Sequence, residues 1–297
     1  MNRRVWRSCV ALAAVAEVTL GLWAFVVEPA SLALTEEPLT VPGSTRGPLR
    51  VAVLTDLHIG SPFNGITRLR EVVERTNAAR PDLICVLGDF VIQGVIGGRF
   101  VPPEDIAREL SHLRTPAGIV AVLGNHDGWF DHDRIAAALE AVNVRIVEDT
   151  AVRLETRSGR IWIAGVSDLW TGRHDLAAAM APIEPDGAPV ILLTHNPDLF
   201  PAVPERVSLT LAGHTHGGQV RLPIVGRLIV PSRFGQRFAA GHVVEGGRHL
   251  FVATGIGTSI LPVRFRVPPA VAILDLAFEG SRSSRGMPAD ASRQCRA

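Results

Sequence analysis

The sequence predicts an α/β fold of two packed β-sheets flanked by helices, behind an apolar N-terminal helix long enough to cross a bilayer. Three observations predict it. Short apolar runs at residues 51–55, 83–87, 119–123, 190–194 and 207–211 each end near a Gly or a polar cluster, the pattern of buried strands. Helical patterns at 67–79, 104–113 and 133–141 alternate with runs of this kind in the first half. The second half adds strand patterns at 144–147, 152–156, 160–165, 243–245, 250–253 and 270–276, so alternation gives way to hairpins and two sheets are needed.

Taken in chain order, Arg3, Arg4 and Arg7 precede an apolar stretch over residues 8–27, about the length of a transmembrane helix. The next arginine is Arg46, and this imbalance predicts the N-terminus inside and the remainder outside the cytoplasmic membrane. Glu17 interrupts the span; a charge at mid-span costs roughly 3 kcal/mol on insertion scales, which the surrounding Leu, Val, Phe and Trp residues offset. Competing readings are a signal segment cleaved at Ser31-Leu32-Ala33 or exported through Arg3-Arg4, and an amphipathic helix of a soluble protein. An uncleaved single-pass anchor over 1–27 is preferred.

Each apolar run leads into chemistry. The polar clusters are Asp56-Leu57-His58, Gly88-Asp89, Gly124-Asn125-His126-Asp127, His195-Asn196-Pro197 and Gly213-His214-Thr215-His216. Ligands at the carboxyl ends of neighbouring strands converge on one crevice, and the glycines allow sharp exits. Carboxylates, an amide oxygen and imidazoles, with no thiolate, suit divalent first-row metals better than a closed zinc site and point to metal-assisted chemistry on phosphate. Singly, an Asp or Asn after a strand is a helix cap, and the His214, His216 pair is an exposed turn. Jointly and in this order, they read as a site.

The five motifs, in their order, resemble the calcineurin-like metallophosphoesterase superfamily over residues 28–277. The segments 217–219, 255–259 and 262–265 resemble its membrane-associated bacterial branch, which includes enzymes similar to UDP-2,3-diacylglucosamine hydrolases and cell-envelope phosphodiesterases. The resemblance implies a four-layer αββα sandwich of two mixed β-sheets, a domain over 28–279, and two divalent metal ions (Mn, Fe, Zn or Co). It implies Asp56, His58 and His216 on one ion, Asn125, His195 and His214 on the other, and Asp89 between them. Two cations about 3.5–4 Å apart clamp a phosphoryl oxygen and acidify a shared water, giving metal-bound hydroxide for attack on a phosphate ester. By the same resemblance His126 sits over the phosphate, stabilising charge or protonating the leaving oxygen, and Asp127 orients His126.

Composition bounds the rest. At 297 residues and 47% hydrophobic content, one large α/β domain suffices. Residues 280–297, poor in apolar side chains, read as a disordered tail. A net charge of +1 without a long basic run argues against nucleic acid as a required partner. There is no lysine or tyrosine, so every fixed side-chain cation is arginine. Arg233, Arg237 and Arg264 are therefore candidate substrate contacts, with solvated surface arginine as the plainer alternative. Cys9, Cys85 and Cys295 form no disulfide framework or zinc motif. His112, His132, His174, His242 and His249 read as surface or structural, and Asp168 has no physical role assigned.

The expected function is a bimetallic phosphohydrolase of phosphodiesterase or pyrophosphatase type. An anchored domain makes lipid-linked or envelope phosphates attractive substrates, with residues 94–101 lining an apolar approach. A nucleotide phosphodiesterase or phosphomonoesterase is the alternative enzyme. A non-catalytic, metal-dependent phosphate-binding protein is the alternative of another class, and retention of His126 argues against it. Oligomeric state leaves no signal in the sequence.

Overall fold

In the computed structural model, residues 3–172 and 174–280 are described; the tail expected over 280–297 lies, from residue 281 on, outside the described residues. Helix α1 (Arg3–Leu22) widens into a π-helical turn at Trp23–Val27 and buries no side chain. Its Leu12, Val15 and Val18 are exposed, and by length and composition the helix is apolar enough to cross a membrane.

The strands are β1 (Ala33–Pro42), β2 (Leu49–Leu54), β3 (Leu83–Val86), β4 (Ile119–Ala121), β5 (Val144–Ile146), β6 (Thr150–Thr156), β7 (Gly159–Val166), β8 (Val190–Thr194), β9 (Leu209–Ala212), β10 (Arg221–Leu222), β11 (Gly226–Arg227), β12 (Gly241–Glu245), β13 (Arg248–Val252) and β14 (Ala270–Glu279). One mixed sheet runs β1-β14-β2-β3-β4-β5 and the other β12-β13-β9-β8-β7-β6; β10 and β11 form a separate hairpin. Helices α2 (Ile66–Ala78), α3 (Pro103–Leu110), α4 (Asn125–Phe130), α5 (His132–Glu140) and α6 (Leu176–Met180) complete the regular elements.

Alternation along each strand builds the layers. From β2, Ala52 and Leu54 join Leu69 and Val72 of α2 and Ile106 of α3 in one apolar cluster. Val51 and Val53 instead join Ile161, Ile163, Ile191 and Leu193 of the second sheet. The far face of that sheet packs Trp162, Ala164, Val190 and Leu192 against Ala179 and Phe200. Three apolar clusters between four layers make the αββα sandwich.

Topology positions the site. Strands β2, β3 and β4 are parallel neighbours, with Leu54 opposite Val86 and Val86 opposite Ala121, so their carboxyl ends emerge side by side. Parallel β8 and β9 do the same in the second sheet. The pairing of β1 with β14, in parallel from Ala33 opposite Ala270, joins the two ends of the domain.

Leu193 is fully buried between the sheets. Leu193→Ala should lower unfolding free energy by about 2–5 kcal/mol, read from urea denaturation; a change within error would show that this layer does not support the fold.

Candidate metal centre

The strand exits turn back sharply. Asp56, His58, Asp89, His214 and His216 all have positive φ, between 39° and 68°. Asp, Asn and His tolerate this left-handed region better than other residues with a Cβ, and tertiary packing must hold them there. Backbone bonds from Asp56 N to Gly88 O (3.0 Å) and from His58 N to Asp89 O (2.9 Å) tie the first two exits together. Two glycines are required by close approach: a Cβ at Gly124 would lie 2.2 Å from Asp89 Oδ1, and one at Gly213 would lie 1.9 Å from Thr55 Oγ1.

Asp56, His58, Asp89 and His216 are buried, and their ligand atoms all lie within 4.8 Å of one another. His58 Nε2 is 3.4 Å from Asp89 Oδ2 and 3.1 Å from His216 Nε2. His216 Nε2 lies 3.2 Å from Asp56 Oδ1. On the other side, His195 Nε2 is 3.3 Å from the same Asp89 Oδ2, 3.1 Å from Asn125 Oδ1 and 3.2 Å from His214 Nδ1. One carboxylate oxygen thus faces two sets of donors.

Cation binding fits this geometry. His58 Nδ1 lies 3.2 Å from Val91 O and His195 Nδ1 lies 2.6 Å from Leu87 O. Each carbonyl requires an N–H at Nδ1, so that Nε2 of either ring, once neutral, is a lone pair aimed inward. Lone pairs this close to carboxylate oxygens repel unless a cation or a proton lies between them. Asp56 Oδ1 is buried and accepts no hydrogen bond. A mixed nitrogen and oxygen set of this kind suits a divalent metal ion.

The electrostatics agree. Burial pushes His58 and His214 down to about 3 and His216 well below its ordinary value, leaving the neutral imidazoles that ligation needs. Burial pushes Asp56 up to about 6. Burial would also raise Asp89, but His195, with His58 and His126, holds it well below the carboxylate range. His195 is the converse: burial disfavours its charge, yet Asp89 and Asp56 raise it to about 10. Metal binding would therefore release a proton from His195.

His126 is buried, and burial lowers its pKa. Its ring stands edge-on to His58 at 4.7 Å, and Nδ1 has no hydrogen-bond partner. The expectation that Asp127 orients His126 is corrected. Asp127 Oδ2 accepts from Asp89 N (2.7 Å) and Gly124 N (2.9 Å), and Oδ1 accepts from Phe90 N (2.8 Å), so Asp127 fixes the loop that carries Asp89. Burial and the nearby Asp89 charge raise Asp127 to about 7.

The arginine expectations are corrected too. Arg264 is fully buried and donates to the carbonyls of Thr254, Gly255, Gly257 and Val267. Its rigid fork is consumed by backbone oxygens and does not face a substrate. Arg233 binds Asp198 O, and Arg237 forms a two-point pair with Glu245. No arginine lines the cavity over the centre among the described residues.

That cavity holds about 760 Å³ above Asp89, Asn125, His126, His214 and His216. Its walls include Trp129 and Trp170, which the sequence reading missed. Their rings stack at 6.0 Å, and Trp170 stands edge-on to His214 at 4.4 Å. Asp168 gains a role here: its Oδ2 accepts from the N–H groups of Trp170 and Thr171 and from the Thr171 hydroxyl, fixing the turn that presents Trp170. The Asp168-Leu169-Trp170 order was the available signal.

A donor set of this chemistry at the strand ends of an αββα sandwich marks a metal-dependent hydrolase of phosphoric esters. Comparison with known proteins places the chain further. A sequence model of the calcineurin-like phosphoesterase family matches residues 49–218, which include every motif residue from Asp56 to His216. Phosphodiesterase YaeI of Escherichia coli (strain K12) is 30% identical over 253 residues, covering 84% of this chain and 90% of that protein. The uncharacterized metallophosphoesterase YkuE of Bacillus subtilis (strain 168) is 28% identical over 260 residues, covering 86% and 88%. A transmembrane protein with metallophosphoesterase domain from Danio rerio is 29% identical over 276 residues, covering 85% of this chain and 59% of that protein. The chain belongs to the calcineurin-like phosphoesterase family.

His132 supports the site from outside: Nε2 lies 2.7 Å from Glu148 Oε2, and Glu148 Oε1 accepts from Leu123 N, just before Gly124. Burial opposes its charge, but bonds to Asp133 and Glu148 raise its pKa above the ordinary 6.5. The charged pair stabilises the fold below that ordinary value and is lost as pH rises through the folded value. The stability excess over His132→Ala should therefore be larger at acidic than at alkaline pH, by about 1 kcal/mol or less given the exposure; equal differences in denaturation at both would refute it.

Proposed function

We propose that the chain is a two-metal phosphodiesterase or pyrophosphatase, anchored by α1 in the cytoplasmic membrane with its catalytic domain on the outer side. The observation that carries the two-metal reading is Asp89 Oδ2, which faces His58 at 3.4 Å and His195 at 3.3 Å. Asp56, His58 and His216 would hold one ion, Asn125, His195 and His214 the other, and Asp89 both. Divalent cations bound there would supply Lewis-acid polarisation of a phosphoryl oxygen and acidification of a water nucleophile.

The protein supplies the rest. His126, neutral through burial, offers an imidazole N–H to the phosphate or its leaving oxygen. Asp127 keeps the Asp89 loop fixed while charge develops. Trp129, Trp170 and the apolar side chains above them exclude water from one side of the cavity. Because the cavity is walled mainly by apolar groups, a phosphate carried on a lipid or envelope component fits it, and the phosphodiesterase named among the relatives supports diester chemistry.

One observation favours a nucleotide phosphodiesterase as a second reading: the Trp129–Trp170 pair at the lip is a surface on which a base stacks. Placement of His126 beside the cluster counts against binding without turnover.

The test is hydrolysis of bis-(p-nitrophenyl) phosphate by the full chain in detergent, stripped with chelator and titrated with Mn²⁺. Activity should vanish on stripping and return on titration. His126→Ala should lower turnover by roughly 10²-fold with metal content unchanged. Asp89→Ala should lose both ions, read by elemental analysis. Two bound ions without turnover of this diester or of a phosphomonoester would favour the binding-protein reading, and normal turnover in either variant would refute the residue roles.

A further inference from the structure

The rim of the cavity carries apolar side chains that no other element covers among the described residues. Ile224, at the tip of the β10–β11 hairpin, is fully exposed, and Val225, Leu228 and Ile229 beside it are also exposed. Ile260 and Leu261 form a second exposed lip, tied to exposed Ile96 by a bond from Ile96 N to Ile260 O (3.0 Å). Isolated exposed apolar residues are ordinary, whereas a cluster around a cavity mouth marks a contact surface.

Backbone conformation sharpens the point. Ile224 and Ile260 adopt φ of 69° and 62°, the left-handed region that β-branched residues avoid. Packing does not explain an isoleucine held there with its side chain in the open.

Two further observations identify what covers this surface. The second lip runs on through Pro262 and Val263 to Arg264, whose backbone N–H donates to Ala24 O (2.9 Å) in the last turn of the apolar N-terminal helix. The second lip is therefore tied through buried Arg264 to the end of the N-terminal helix. The hairpin segment 219–230 also contains Arg221 and Arg227 but no Asp or Glu. Apolar tips beside the two hairpin arginines, which form no ion pair with an acidic side chain among the described residues, match an interface with anionic headgroups.

We propose that this rim is a second membrane contact: the β10–β11 tip and the Ile260–Leu261 turn insert into the interfacial layer of the bilayer that holds α1, so the cavity opens among lipid headgroups. The inference rests on the reading of α1 as an anchor. It does not depend on which phosphate ester is cleaved.

The experiment uses the full chain with Cys9→Ser and Cys295→Ser, Cys85 being buried. Ile224→Cys carries an environment-sensitive fluorophore in vesicles of phosphatidylcholine and phosphatidylglycerol. A blue-shifted emission, lost when doxyl-labelled lipid is included, is the expected result. A water-like emission indifferent to doxyl lipid would overturn the proposal, and a shift that tracks protein density in place of doxyl lipid would assign the patch to a second copy and overturn it equally. Hydrolysis of bis-(p-nitrophenyl) phosphate by the labelled chain, at the rate of its unlabelled parent, reports a native fold, since Ile224 does not line the cavity. Quenching without turnover in labelled and unlabelled chains alike would sink the hydrolase reading and leave the membrane contact standing.

Discussion

The structure turns on one carboxylate. Asp89 leaves β3 of the first sheet, and its Oδ2 meets His58 from that sheet and His195 from the other at nearly equal distances. Every neighbouring feature constrains it. Its Oδ1 accepts from His126 N, its own N–H is taken by Asp127, and Gly124 exists as glycine because a Cβ would strike it. Beneath it, Val53 and Leu87 of the first sheet pack with Leu193 and Leu211 of the second. Close packing of that layer sets the spacing between the sheets, and hence between the two sets of donors.

Burial does two things at once for this centre. It keeps most imidazoles neutral, and it makes the carboxylates costly unless a positive charge comes near. Neither effect requires a basic surface. That is why a chain with a net charge of +1, and no arginine lining the described cavity, can still hold a site for phosphate. Divalent cations held by the cluster would supply positive charge for the substrate, which separates this design from anion sites built on arginine forks.

The strand runs and the motifs at their ends were legible because buried strands leave nearly unbroken apolar stretches, and the ligands fall at the stretch ends. What stayed hidden depended on approach between distant segments. Asp127 sits next to His126 in sequence, yet its partners are N–H groups of the Asp89 loop, 36 to 38 positions earlier, and Gly124. The absence of lysine made each arginine look like a phosphate reader, whereas Arg264 is spent on carbonyls of a loop that only tertiary structure brings to it. Likewise, stacking of Trp129 on Trp170 depends on a turn after β7 meeting a helix after β4, which no local pattern encodes.

Between the apolar helix and the catalytic domain there is no loose tether. Glu28 is buried at the junction, accepting from Trp23 Nε1 (2.8 Å) and Val267 N (2.6 Å), and five residues later the chain is already in β1. Arg264, bonded through its backbone to Ala24, grips the segment whose Gly255 and Gly257 press against Asp56 and His58. A rigid mount of this kind acts as a ruler. It fixes the distance between the helix and the buried cluster, so with the helix anchored as proposed, the phosphates within reach would be those at a matching depth.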